Sequence, residues 1–162
     1  MPEPEMITLE IDDAVVSVPA GTTIWEAAAA AGVEIPVLCH DRRLRPVGVC
    51  RVCVVDVGER VLAASCVRPC EPGMKVRTAT EAIEHHRKQL VELLMVDQPP
   101  RPDDAREQTL GDGALRALAD HSGVEARAGA PGTASGERGR DDSSPVIAVD
   151  HAACILCDRC VR

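Results

Sequence analysis

The chain has 162 residues, a formal net charge of -8, and Trp25 as its sole aromatic residue. That length allows one modest core with appendages, and the core must be aliphatic. Without Phe or Tyr to stack on bases, and without a basic stripe, the composition argues against nucleic-acid binding. No run reaches the roughly 18 apolar residues that a membrane span needs.

Met6 to Ile11 and Ala14 to Val18 are β-rich runs separated by Asp12-Asp13, a turn pair, and predict an opening hairpin. Thr23-Ile24-Trp25-Glu26 has the pattern of a capping box ahead of the Ala27 to Ala31 run, and Gly32 is placed to stop that helix. Arg51 to Val57 and Arg60 to Ala64, split by Gly58, predict a second strand pair, and Met74 to Arg77 a further short strand. Thr78 and Glu81 suggest another capping box, opening a helix that ends near Val96 and carries Ile83, Leu90 and Leu94 on one face.

Beyond Gln98 the composition turns to Pro, Asp and Arg, with a weak helix predicted around Ala114 to Asp120. Residues 125–144 are Gly, Ala, Pro, Ser and charge, with almost nothing to bury, and predict a flexible linker. The organisation expected is therefore a domain over 1–78, a helical extension over 79–124, the linker, and a terminal segment over 145–162.

The eight cysteines carry the chemistry. The acidic start MPEPEMITLEID lacks the basic residues of a signal peptide, which favours a cytoplasmic setting. Thiols stay reduced there, so CxxC spacings point to metal or redox chemistry rather than disulfides.

Cys39, Cys50, Cys53 and Cys66 are spaced C-x10-C-x2-C-x12-C. Four thiolates are what a 2Fe-2S cluster requires, two for each iron. Cys50 and Cys53 share a tight turn, Cys39 and Cys66 close from either side, and Gly48 and Gly58 permit sharp bends. A structural zinc site also takes four cysteines, but usually as two short pairs, and only one such pair exists in this set.

Cys39-His40, Leu44-x-Pro46-x-Gly48-x-Cys50-Arg51-x-Cys53, Ala64-Ser65-Cys66 and Pro72-Gly73-Met74 resemble the N-terminal ferredoxin domain of a known group. That group comprises NAD-linked molybdenum formate dehydrogenases, the large peripheral subunit of NADH:quinone oxidoreductase (complex I), and iron-only hydrogenases. The resemblance covers about residues 6–96 and implies an α+β chain with a β-grasp 2Fe-2S fold. It places the fourth ligand directly after Ala-Ser, at Cys66, and leaves Cys70 a bystander.

Cys154-x2-Cys157-x2-Cys160 is the opening of the bacterial run C-x2-C-x2-C-x3-C-P, whose three leading thiolates bind one 4Fe-4S cube. The segment from Val149 to Arg162 is similar to the group's double 4Fe-4S region, with the fourth cysteine expected at position 164, so a longer parent is expected. Many relatives carry a further 4Fe-4S site with one His and three Cys after the long helix. This chain has no cysteine from 71 to 153, so that site is lost.

The function expected is one-electron transfer at the front of a formate dehydrogenase-like oxidoreductase. By resemblance its partners are a downstream molybdopterin catalytic domain and NADH-linked flavin and iron-sulfur subunits. These residues hold no catalytic centre of their own. The rival readings are a free-standing ferredoxin and a structural zinc-binding module. Arg51, between the paired ligands, is a candidate for favouring the reduced cluster, and His40 for supporting or tuning the ligand loop. His85 and His86 are adjacent, so they leave a helix about 100° apart and cannot share a metal. They read as solvated, as do His121 and His151.

Overall fold

Alternation in β1 (Met6–Ile11) puts Ile7, Leu9 and Ile11 on one face, and all three are buried. This strand pairs antiparallel with β2 (Ala14–Pro19), in register from Met6 against Pro19 to Ile11 against Ala14. The turn residues Asp12 and Asp13 have φ of 47° and 70°, the left-handed geometry that a two-residue hairpin needs and that Asp tolerates. The computed structural model describes residues 5–96, 98, 113–124 and 139–162. It divides into two units, Met1–Arg87 and Lys88–Arg162, with the boundary inside a helix.

In the first unit, α1 (Ile24–Ala30) opens on the predicted capping box: the Thr23 side chain accepts from the Glu26 N–H, and the Glu26 carboxylate accepts from the Thr23 N–H. Ile24, Ala27 and Ala28 are fully buried in one cluster with Ile7, Leu9, Ile11 and Val18 of the hairpin. Each large aliphatic side chain removed from water there contributes about 1.5–3 kcal/mol.

The remaining strands are short. β3 (Val54–Val55) pairs antiparallel with β4 (Ala63–Ala64). β5 (Lys75–Val76) joins β1 in parallel, giving a sheet of order β2-β1-β5. A hairpin, a helix, and a late strand returning parallel to the first make this an α+β, β-grasp unit.

The predicted strands over 51–57 and 60–64 shrink to two residues each. Arg51 has φ of 59°, which extended backbone does not allow, and Asp56 exchanges backbone hydrogen bonds with Arg77 instead of continuing the ladder.

Helix α2 (Glu81–Met95) forms as expected, but its N-terminal cap differs. Thr78 donates its N–H and hydroxyl to Asp12 and is thereby removed from capping. Thr80 takes that role, accepting from the Ile83 N–H at 3.2 Å and, through its carbonyl, from Glu84. The buried positions are Ile83, Arg87, Val91 and Met95, four residues apart, while Leu90 and Leu94 are half-buried.

In the second unit, α3 (Ala114–His121) matches the weak helix read from the sequence. The expected linker over 125–144 needs correcting at its end. Arg140 and Asp141 form β6, paired with β7 (Val149–Asp150), because the Asp- and Ser-rich stretch between them folds into side-chain-bonded turns. The rest of that linker, residues 125–138, lies outside the described residues.

Candidate metal centre

The loop after α1 is pinned by the one aromatic residue. Trp25 donates its indole N–H to the Ile35 carbonyl at 3.0 Å, His40 packs edge-on against it at 4.7 Å, and the Arg42 guanidinium lies 5.2 Å over its ring. His40 is buried and neighbours Cys39, so these contacts fix the approach to the first cysteine.

Gly48 and Arg51 then wind the backbone round Cys50. Gly48 has φ of 67°, and a Cβ there would lie 3.2 Å from the Val67 side chain, so two independent constraints select glycine. Arg51 takes φ of 59° and donates from its guanidinium to the Leu62 carbonyl at 2.9 Å, tying the Cys50 turn to the strand before Cys66. Ser65 closes the other side, with its hydroxyl donating to the Cys53 carbonyl at 2.7 Å and its carbonyl accepting from the Trp25 N–H.

Cys39, Cys53 and Cys66 are buried and Cys50 is half-buried. The four thiols meet as two pairs. Burial pushes the Cys39 thiol up, and backbone N–H groups of Cys50 and Val49 oppose this by donating to its sulfur. The Cys53 thiol is pulled down to about 6, first by the hydrogen bond from Cys66 and against its own burial. Cys66 is pushed up, first by donating to Cys53, then by burial and by the charges of Cys53, Cys39 and Cys50. Cys66 therefore feels all three other thiols, with Cys39 against Cys50 and Cys53 against Cys66.

Among the described residues, no group of three or more His, Cys, Asp or Glu side chains is placed to hold a single metal ion. Two dithiol pairs suit a two-iron cluster, in which each iron takes two protein sulfurs. The N–H groups aimed at the sulfurs favour thiolate in the same places.

Cys70 is also buried, but its N–H goes to the Thr22 carbonyl, and its thiol is pushed up by burial and then by the Glu26 carboxylate. No other cysteine contributes to that shift.

In the second unit, Cys154 and Cys157 are half-buried and Cys160 is exposed. Leu156 and Asp158 have φ of 54° and 59°, and the Leu156 N–H donates to the Cys154 sulfur at 3.4 Å. Arg162 donates to the carbonyls of Asp158 and Cys157, holding the far end of the turn. A cavity of about 350 Å³ lined by Leu93, Leu94, Gln98, His151, Ile155 and Leu156 abuts Cys154.

The sequence reading missed Arg87. Its charge at position i+4 from Ile83 and i-4 from Val91, inside an apolar stripe, was the available signal. The solvated assignment of His85, His121 and His151 agrees with their exposure, while His86 is half-buried.

A β-grasp sheet with four cysteine thiols gathered in its loops defines a ferredoxin-like iron-sulfur protein. Residues 4–81 match the family described as a 2Fe-2S iron-sulfur cluster binding domain. It is 33% identical to an NADH-quinone oxidoreductase subunit of Streptomyces coelicolor, over 100% of this chain and 19% of that protein. It is also 33% identical to the NADPH-Fe(3+) oxidoreductase subunit alpha of Geobacter sulfurreducens, over 97% of this chain and 18% of that one. A solved NAD+-reducing NiFe-hydrogenase in the H2-reduced state superposes with a TM-score of 0.82 at 34% identity, over 96% of this chain and 64% of that chain. The chain thus spans about a fifth of the length of these curated relatives. The resemblance to the 2Fe-2S domain of a complex I subunit is borne out, while the hydrogenase match is to a NiFe enzyme rather than to the iron-only hydrogenases, and the chain is an iron-sulfur electron-transfer module of the kind found in larger oxidoreductases.

Proposed function

We propose that Cys39, Cys50, Cys53 and Cys66 hold a 2Fe-2S cluster that passes single electrons within an NADH- or NADPH-linked multisubunit oxidoreductase. The observation that carries this is the burial of Cys39, Cys53 and Cys66, with Cys50 half-buried beside them, in the loops of a segment that matches a 2Fe-2S cluster binding domain. The cluster, when bound, supplies one-electron chemistry that the side chains lack. The chain's own groups orient the sulfurs, keep water off Cys39, Cys53 and Cys66, and stabilise thiolate through backbone N–H donors.

The relatives' names support the NAD(P)H link, while flavin and iron-sulfur partner subunits are proposed on the sequence resemblance and a cytoplasmic setting on the reduced-thiol reading of the CxxC spacings. Among the described residues no helix is long and apolar enough to cross a membrane. A formate dehydrogenase-like parent with a molybdopterin domain stays a narrower proposal, resting on the sequence resemblance over about residues 6–96. Cys154, Cys157 and Cys160 are proposed as three ligands of a 4Fe-4S cluster, on their spacing and on the wound backbone between them.

Anaerobic reconstitution with iron and sulfide tests the reading. A brown protein giving a rhombic EPR signal on one-electron reduction supports it. A colourless protein that takes up one zinc at these cysteines supports the structural-module alternative.

A further inference from the structure

Arg87 is a cation in the interior of the first unit, only 7% exposed. Its guanidinium donates to the Val52 carbonyl at 3.2 Å and to the Val54 and Thr78 carbonyls at 3.1 Å each. A fourth bond, at 2.8 Å, runs to Glu84, whose carboxylate is itself mostly in solvent. Burying a guanidinium is costly unless its donors are satisfied. Here they are spent on the two residues flanking Cys53 and on the segment leading into α2.

Two consequences follow from that position. The fork holds the Val52 and Val54 carbonyls at a fixed separation, which fixes where Cys53 stands between them. The charge also lies where water screens it little, with Cys53 among the groups it interacts with. Burial pulls the Arg87 pKa below its ordinary value, while Glu84 and Cys53 pull it back up, and a guanidinium stays charged at neutral pH. Arg51, the basic residue nearest the ligands in sequence, is exposed, so solvent and salt screen its charge.

We propose that Arg87 is a positioning residue of the cluster site that also raises its reduction potential, by setting a buried positive charge behind Cys53. This deepens the assignment of the four cysteines as cluster ligands and rests on it. Reduction adds one negative charge to the site and leaves the bonds to the protein in place, so a nearby buried cation stabilises the reduced form.

The test is an EPR-monitored redox titration of the reconstituted chain, comparing wild type with Arg87→Gln, Arg87→Lys, Glu84→Gln and Arg51→Gln. Arg87→Gln is expected to lower the reduction equilibrium constant about tenfold, a midpoint about 59 mV more negative. Arg87→Lys keeps the charge but loses the fork, so it recovers most of the potential while its thermal midpoint still drops. A purely structural role would make the two variants alike in potential. Glu84→Gln, on a solvent-facing side chain that leaves folding intact, removes the counter-charge and is expected to shift the potential the opposite way. Arg51→Gln is expected to move it least. The proposal is overturned if Arg87→Gln titrates with wild type, or if it fails to fold and Glu84→Gln leaves the potential unmoved. The ligand assignment would survive either result. A wild-type chain with no 2Fe-2S signal would instead remove the assignment itself.

Discussion

Asp12, in the turn of the first hairpin, accepts a 2.8 Å hydrogen bond from the Thr78 N–H and a second from the Thr78 hydroxyl. The two residues are 66 apart in sequence, and the contact closes β5 and the entry to α2 onto the β1–β2 turn. Next to it Arg77 pairs with Asp13 at 2.8 Å, but that pair is exposed and contributes little.

Thr78→Val removes the hydroxyl at nearly constant shape and leaves one carboxylate oxygen with one donor fewer. It is expected to destabilise the first unit by about 1–3 kcal/mol. A fall in the urea midpoint at unchanged slope is the measurement that shows it. Arg77→Gln, breaking only the exposed pair, is expected to change the midpoint far less.

Gly48 and Gly58 separate conformational cost from crowding. Both have positive φ, but only Gly48 has a neighbour where a Cβ would sit, while Gly58 faces open space. Gly58→Ala is expected to cost about 1 kcal/mol from the backbone alone. Gly48→Ala adds the Val67 clash, so it should cost more and lower the iron retained after gel filtration. Equal losses in the two variants would show that the Cys50 loop yields more easily than its packing indicates.

The capping box gives a pH signature. The Thr23 N–H, and next the Thr23 hydroxyl, hold the Glu26 carboxyl below its ordinary value of 4.5. A depressed folded-state pKa contributes stability that is present above the ordinary value and lost as pH falls through the folded one. Glu26→Gln should therefore flatten the acid side of a plot of thermal midpoint against pH while changing its neutral limb little. Thr23→Ala should cost about 1 kcal/mol at neutral pH, the usual loss for a removed helix cap.

The hairpin, the first helix and its cap were legible because each is written in local terms: alternation, a turn pair, and a side chain three residues from its partner. The cysteine spacing was legible for the same reason. The Thr78 cap was misread because Thr78 has a stronger partner in Asp12, and no local pattern reveals a contact across that separation. Residues 51–57 look like strand by composition, yet the positive φ of Arg51 belongs to the loop geometry round Cys50, which propensity does not encode. Arg87 went unread because a charge on a helix is ordinarily solvated, and only the packed structure shows three carbonyls waiting for it. Likewise, the division of the four thiols into two pairs is a property of the folded loops and not of their spacing.

Cys66 and Cys70 offer the most direct discrimination, since both are buried, they lie four residues apart, and of the two Cys66 alone feels the charges of Cys39, Cys50 and Cys53. The measurement is iron and acid-labile sulfide per chain after anaerobic reconstitution, with Cys154, Cys157 and Cys160 replaced by Ser so that only the first site counts. About two of each are expected in that background, the same with Cys70→Ser added, and a large loss with Cys66→Ala. Full iron and sulfide in the Cys66→Ala protein, or their loss in the Cys70→Ser protein alone, would contradict the assignment of Cys39, Cys50, Cys53 and Cys66 as the set that holds the cluster.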